Sequence, residues 1–549
     1  MDIVSKIKGF FKGEITTGEA DLEKYSHDAS LFKVRPQMVV MPKDVEDIKH
    51  LVNFVTQNKS ASPDLSLTIR SGGTDMTGGP LSESIVVDVS PHLNQLKEIK
   101  ADYAVVEPGM FYRDFEKETL KKNLLMPSFP ASREICTVGG MVANNSGGEK
   151  TLAYGKTIDY VAELKVILRD GEEHVFKSLS ETDLEIKKKE TNLEGDIYRQ
   201  LADLVIKNYD LLREAKPKVS KNSSGYYLWD VYNPHKKTFD LTKLMVGSQG
   251  TLGIITEIKF RLIKPKKYRR LLVIFLKDMQ TLVPITHRVL EFKPESFESY
   301  DDHTFKVAIK FLPEIAKKLK GGMIRLGLNF LHEFWLIFLH GMPKLVMLAE
   351  FSGETPEEAY EKARAAEKGL EELGLESKIT MPGYDTEKYW IIRRESFNLL
   401  RQKIKNLRTA PFIDDIIVRP DCLPEFLPQL YTILDQYPII YTVAGHVGDG
   451  NFHIIPLMDS ADPKMKDIIV ELSRQVYDLV LKFKGSMSAE HNDGLIRGPY
   501  LEQAFGAEVF KLFKEVKNIF DPDSIFNPGK KSEANLNYSL DHLDIKKPA

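Results

Sequence analysis

Twelve residues, Thr68 to Gly79, constrain the fold of this chain more than any other stretch. They read Thr-Ile-Arg-Ser-Gly-Gly-Thr-Asp-Met-Thr-Gly-Gly and join a strand-like Leu65–Ile69 to another, Ile85–Val89. Glycines let the backbone approach a ligand closely, and successive N–H groups in such a loop form a concave nest for phosphate oxygens. The spacing is neither Gly-x-Gly-x-x-Gly opening a helix nor Gly-x-x-x-x-Gly-Lys-Ser/Thr, so the two commonest nucleotide loops are excluded. Alone, the loop reads as a turn as readily as a pyrophosphate cradle. Later glycine-rich passages favour the cradle.

The first of these is Pro127 to Gly148. Gly139, Gly140, Ala143, Ser146, Gly147 and Gly148 leave room for a flat ligand, and Thr137, Asn144 and Asn145 offer uncharged hydrogen bonds. Close helix packing followed by a turn is the alternative. In Leu244 to Glu257, Gly247, Gly250 and Gly253 border a strand carrying Ile254 and Ile255, which also reads as a glycine-bearing edge strand. Around these passages the pattern predicts a strand at Gln37–Met41, a helix capped by Asp44 with Ile48, Leu51, Val52 and Val55 at helical spacing, and a hairpin over Val161–Phe176 turning at Asp170-Gly171.

A chain of 549 residues is too long for one core. The polar seam Pro265–Arg270 is the natural boundary, followed by strands and helices of a smaller α+β domain. The expected divisions are a helical lead (1–35), a cofactor domain (36–265), a substrate or cap domain (266–500) and a C-terminal return with a tail (501–549). A formal net charge of −3 suggests no nucleic-acid partner. Two cysteines, Cys136 and Cys422, support neither a disulfide framework nor an iron–sulfur cluster, which fits a reducing cytoplasm. No apolar run is long enough to span a bilayer. Met1–Gly13 and Leu326–Leu348 pair apolar residues with nearby lysines, a composition that suits either the inner membrane surface or docking on the protein's own core.

Tyr441 to Leu457 carries the most specific chemical signal. Two strands flank Gly448-Asp449-Gly450-Asn451, a hairpin turn that brings His446 and His453 to one end. Ser488–Gly494 adds Glu490 and His491 beside another glycine. Two histidines, a carboxylate and open positions suit a divalent metal, with zinc, iron and manganese all admissible. Arg393, on an expected helix, suits a substrate carboxylate or an ordinary surface pair.

Together these motifs resemble the flavoproteins of the vanillyl-alcohol oxidase and p-cresol methylhydroxylase superfamily. The likeness runs from about Tyr25 to Lys530 and is greatest to the D-lactate dehydrogenase, glycolate oxidase flavin subunit and D-2-hydroxyglutarate dehydrogenase group. It implies an α+β chain with a two-part FAD-binding domain and a cap domain built on an antiparallel sheet. It further implies that Arg70, Ser71, Gly72, Gly73, Thr74 and Asp75 cradle the FAD pyrophosphate. Thr137, Gly139, Gly140, Ala143, Asn145, Ser146, Gly148, Gly250, Gly253, Ile254, Ile255 and Asn527 would line the cofactor. Thr74 stands where some relatives attach flavin through a histidine, so FAD is expected to be non-covalent. His446, His453 and Glu490 would hold the metal, zinc foremost, with His491 as general base and Arg393 on the carboxylate of a small 2-hydroxy acid. Quinones, cytochromes or an electron-transfer flavoprotein would be the acceptor.

Some positions depart from the group. Gln249 replaces a glutamate, and 228–240 and 310–345 look longer than usual. No lysine for a second carboxylate is evident near Asp414-Asp415, unless Lys403 or Lys405 substitutes, which favours D-lactate over D-2-hydroxyglutarate. Glycolate or D-2-hydroxyglutarate oxidation is a same-class alternative, and a catalytically silent flavin-binding subunit a different one.

Overall fold

The computed structural model describes residues 3–304, 306, 341–403, 407–459 and 461–544. Its first lobe is a four-stranded sheet in the order Glu14–Thr16, Met38–Met41, Ile85–Asp88, Leu67–Arg70, in which the last three strands run parallel. The helix Val45–Asn58 covers this sheet with Ile48, Leu51, Val52 and Val55, and Asp44 caps it by accepting from Asp47 N at 3.0 Å. The amphipathic N-terminal helix Ile3–Lys8 docks here as well. Ile7 and Phe11 are buried in the lobe's core, so the face read as suiting a membrane is spent on the protein itself. Most of the other candidate segment, 326–340, lies outside the described residues, and its end forms the strand Leu345–Gly353. Among the described residues, no helix is long and apolar enough to cross a membrane.

The second lobe is a seven-stranded sheet. Its strand Ile254–Arg261 pairs antiparallel with Tyr103–Val106 and with the central strand Val161–Ile167, and the latter forms the expected hairpin with Glu173–Ser180. Residues 232–240, within the segment that reads as a polar insertion, extend this sheet with the strands Tyr232–Asn233 and Thr238–Asp240. The chain returns here at its end. Val509, Phe513, Val516 and Phe520 of the helix Leu501–Phe520 join the lobe's core, with Phe513 edge-on to Tyr226 at 5.9 Å. Beyond the helix, Leu67 N donates to Ile525 O and Asn527 N to Leu67 O, both at 2.8 Å, which ties the C-terminus to the first lobe.

A second seven-stranded sheet, wholly antiparallel, builds the other half in the order Glu376–Ile379, Tyr268–Leu276, Leu345–Gly353, Ser296–Asp301, Val443–His446, Asn451–Ile454, Ile416–Ile417. Alternation along its strands sorts the side chains by face. Phe297, Val443, Phe452 and Ile454 point into an apolar core shared with helices Leu282–Glu291, Leu423–Leu434 and Met465–Lys482. The opposite face turns its polar residues toward the two lobes.

Candidate active site

A cavity of about 840 Å³ is walled by both halves of the chain. One wall is the glycine-rich set. Arg70 to Asp75, Thr137, Gly139, Gly140, Ala143, Ser146, Gly148, Gly250, Gly253 and Ile255 all line it. The backbone N–H groups of residues 71 to 74 make no backbone hydrogen bond among the described residues, and Gly73 sits at φ +65°. Open N–H groups curving around a left-handed turn are the nest a pyrophosphate needs. Gly250, also in the lining, has only open space within 4 Å of where a Cβ would stand, so a flat ligand can lie against its backbone. The residues present therefore fit FAD.

Two members of the cradle are committed elsewhere. The Arg70 guanidinium turns back to Tyr25 O (3.2 Å) and His27 O (2.6 Å). Asp75 organises the loop, accepting from Thr77 N, Thr77 Oγ1, Gly79 N and Asn144 Nδ2 at 2.6–2.9 Å.

Three expected lining residues do not reach the cavity. Asn145 ends the helix Val138–Asn144 in a left-handed conformation, which aims its side chain at Ile158 N (3.1 Å), and Asn144 lines the cavity instead. Ile254 faces the first lobe's core because strand alternation gives the cavity to Ile255. Asn527 is a buried brace whose Nδ2 donates to Gly79 O (3.0 Å) and Gln249 O (2.7 Å).

The facing wall is the His446/His453 hairpin. Its register sets Ala444 opposite His453 and His446 opposite Asn451, so the two imidazoles are diagonal neighbours on the cavity face. Their rings meet edge-on at 5.3 Å, with Nε2 to Nε2 3.3 Å apart. Gly450, at φ +74°, closes the turn. Glu490 Oε1 lies 3.3 Å from His446 Nε2. Two donors held about 2.0–2.1 Å from a zinc ion at the tetrahedral angle are themselves about 3.3 Å apart. The outward nitrogens are held as metal-ligating imidazoles require: His446 Nδ1 lies 2.7 Å from Glu298 Oε1, and His453 Nδ1 lies 3.2 Å from Asp414 Oδ1. The donor set fits a divalent cation.

Asp414 also takes His491, whose Nδ1 lies 2.9 Å from Oδ2, so one carboxylate orients both rings. The three residues converge closely enough to be read as ligands themselves: Asp414 Oδ1 is hydrogen-bonded to His453 Nδ1, while Oδ2 and His491 Nδ1, 2.9 Å apart, make no hydrogen bond in good geometry among the described residues. Burial works against the His491 proton, but the Asp415 and Asp414 charges prevail and hold its pKa up to about 9. Asp415 in turn accepts from Glu490 N (2.8 Å), His491 N (2.7 Å) and Ser488 Oγ (2.8 Å), which fixes the Glu490-His491 turn. Lys221 reaches in from the second lobe, 2.5 Å from Glu490 Oε1 and 3.2 Å from Asp449 Oδ2.

Arg393 lines the cavity from the helix Tyr384–Lys403, but its Nη2 is in contact with Glu298 Oε2 rather than open. Its Nε is buried without a hydrogen-bond partner among the described residues. Arg394 Nη2 donates to both Glu149 oxygens, at 2.8 and 2.6 Å, across the two halves. Glu298, Lys221 and the orienting role of Asp414 are absent from the motif reading.

The chain matches the FAD binding domain family over residues 36–177 and the C-terminal domain of FAD linked oxidases over 265–531. It is 27% identical over 536 residues to D-2-hydroxyglutarate dehydrogenase of Escherichia coli (strain K12), which covers 95% of this chain. This chain spans 50% of the length of that relative. It is 26% identical over 545 residues to D-lactate dehydrogenase of Anaerostipes hadrus, covering 96% of this chain and 97% of that one. The crystal structure of p-cresol methylhydroxylase with substrate bound superposes with a TM-score of 0.67 at 15% identity, over 97% of this chain and 96% of that one. With a FAD-binding domain followed by the C-terminal domain of FAD linked oxidases, the chain belongs to the FAD-linked oxidases, and it shares the fold of p-cresol methylhydroxylase.

Proposed function

We propose that this chain oxidises a D-2-hydroxy acid, D-lactate foremost, to the 2-oxo acid, using non-covalent FAD and a divalent cation, zinc foremost. The observation that carries the reading is the meeting of His446, His453, Glu490 and His491 on one wall of the cavity whose other wall is the open N–H nest. FAD held against the nest would supply the hydride acceptor, and a cation held by His446, His453 and Glu490 would supply a Lewis acid for the α-hydroxyl. Arg393, whose guanidinium belongs to the cavity lining, would bind the substrate carboxylate. His491 takes the hydroxyl proton. Against burial, Asp415 and Asp414 hold its pKa up to about 9, and a cation on the adjacent trio would oppose that proton and free the imidazole to act as the base. The electrons then leave to a quinone, a cytochrome or an electron-transfer flavoprotein.

The choice of D-lactate rests on the uncharged side chains of Thr409, Thr442, Ala444 and Ile455 that line the cavity near the trio. Of the lysines read as candidates for a second carboxylate, Lys405 lies outside the described residues. One observation favours D-2-hydroxyglutarate: Arg394, beside Arg393 in the chain, is a further guanidinium in the lining, although it already donates to both Glu149 oxygens. Anaerobic mixing of the purified flavoprotein with D-lactate, L-lactate, glycolate and D-2-hydroxyglutarate separates these readings through the flavin absorbance. Fastest bleaching by D-lactate is expected. Fastest bleaching by D-2-hydroxyglutarate transfers the assignment to that acid, and no bleaching by any of them refutes the enzyme.

A further inference from the structure

We propose that Glu298 makes cation binding and substrate-carboxylate binding cooperative by sharing one buried carboxylate between His446 and Arg393. The inference rests on the functional reading above, and Glu298 acts in it as a positioning residue that touches neither ligand.

Glu298 is 1% exposed, on the strand Ser296–Asp301 that pairs with Val443–His446. Alternation sends Phe297 to the apolar core and Glu298 to the cavity side. One oxygen lies 2.7 Å from His446 Nδ1 and the other touches Arg393 Nη2. Oε2 and Arg393 Nε make no hydrogen bond in good geometry among the described residues, so charge rather than a directed hydrogen bond holds this end of the contact. In a dry site such contacts polarise one another strongly. An anion on Arg393 draws on the guanidinium charge and leaves Glu298 a stronger acceptor for His446 Nδ1–H. His446 Nε2 then becomes a better donor to a cation, as outer-shell carboxylates make metal-bound histidines. By linkage the cation strengthens carboxylate binding by the same factor.

The test uses FAD-loaded protein stripped of metal with a chelator, titrated calorimetrically with Zn²⁺ in the absence and presence of propionate, a carboxylate without the α-hydroxyl. In the wild type, propionate is expected to tighten Zn²⁺ by about fivefold or more. In Glu298→Gln, with flavin content unchanged, Zn²⁺ is expected to bind about 10- to 100-fold more weakly, and propionate to change that by less than about twofold. KM for the hydroxy acid should rise together with the Zn²⁺ requirement. If Glu298→Gln does not fold, Arg393→Gln carries the test with the opposite sign: Zn²⁺ binds more tightly than in the wild type, because Glu298 serves His446 alone. Wild-type Zn²⁺ affinity or an undiminished propionate effect in Glu298→Gln overturns the proposal, as does unchanged or weaker Zn²⁺ binding in Arg393→Gln. If the wild type itself binds no Zn²⁺ and no hydroxy acid bleaches the flavin, the functional reading has failed and the coupling falls with it. Binding and bleaching with intact coupling in Glu298→Gln defeat the coupling alone.

Discussion

Replacing Lys221 by methionine asks how far the carboxylates of this site depend on positive charge. The lysine side chain is fully buried, with its ammonium against Glu490 and Asp449, and it comes from a different lobe than either partner. Burial disfavours its proton, but Asp449 and Glu490 hold the pKa above the ordinary lysine value, so the group is a permanent cation. Methionine matches its length and volume without the charge. Removing one partner of a buried ion pair costs about 3–5 kcal/mol, because the other charge stays buried without compensation. At roughly 2–4 °C per kcal/mol for units of this size, metal-free Lys221→Met should melt about 6–20 °C below the wild type. A cation on His446, His453 and Glu490 restores the missing charge, so saturating Zn²⁺ should recover most of that loss and raise the variant's Tm well beyond the shift it gives the wild type. Flavin-fluorescence melts in chelator and in excess Zn²⁺ measure both quantities. A drop below about 2 °C in chelator, or equal Zn²⁺ shifts in the two proteins, would refute the charge argument.

Two further outcomes are expected elsewhere in the molecule. His446→Ala should keep its FAD, since the imidazole faces the open N–H nest from across the cavity, but lose stoichiometric Zn²⁺ and turnover; metal analysis and flavin content on one sample decide it, and retained activity removes the metal assignment. His174 lies 3.0 Å from Asp170 Oδ2 and 3.2 Å from Glu194 Oε2, with Lys187 also on Glu194. Burial opposes its proton, but these carboxylates raise its pKa from 6.5 to about 9. Its contribution to stability is therefore complete below pH 6.5 and is lost as pH climbs through 9, by about 3 kcal/mol at most. Urea unfolding from pH 6 to pH 9.5 should show this slope in the wild type and not in His174→Asn, and equal slopes would exclude it.

What the sequence discloses and what it hides follow from the range of its signals. Turn glycines and strand alternation are local, so the hairpin at 447–450, the Asp44 cap and the strand-to-strand loop at 71–79 can all be read from a dozen residues. The phase of a pattern is harder to read wherever apolar periodicity is brief. In Val138-Gly-Gly-Met-Val-Ala-Asn-Asn145 the apolar face is only Val138, Met141 and Val142; continued by one turn it gives Asn145 to the interior and Asn144 to the cavity, but the glycines around it mask the signal. The N-terminal amphipathic face is legible as a face, but which surface it covers is not; Phe10 against Phe54 and buried Ile7 supply that answer.

The charged supports of the site leave no local trace at all. Glu298 and His446 are 148 positions apart, and Lys221 and Glu490 are 269 apart. Glu298 sits in Ser296-Phe-Glu-Ser-Tyr-Asp301, a strand buried on both faces, whose string shows no apolar–polar alternation from which to read the core side, although in the folded sheet Phe297 takes it. Its meaning comes from the neighbouring strands, which set it between an imidazole and a guanidinium. The same holds for Lys221, which reads as a polar loop residue until the second lobe closes on the hairpin. A buried charge is tolerable where a counter-charge awaits it; for Lys221 the counter-charges come from the opposite half, whereas Glu298 meets His446 and Arg393 within its own. The site therefore exists as a chemical unit only once both halves have folded and met, and any substitution that spoils their contact should cost cation binding before it costs flavin.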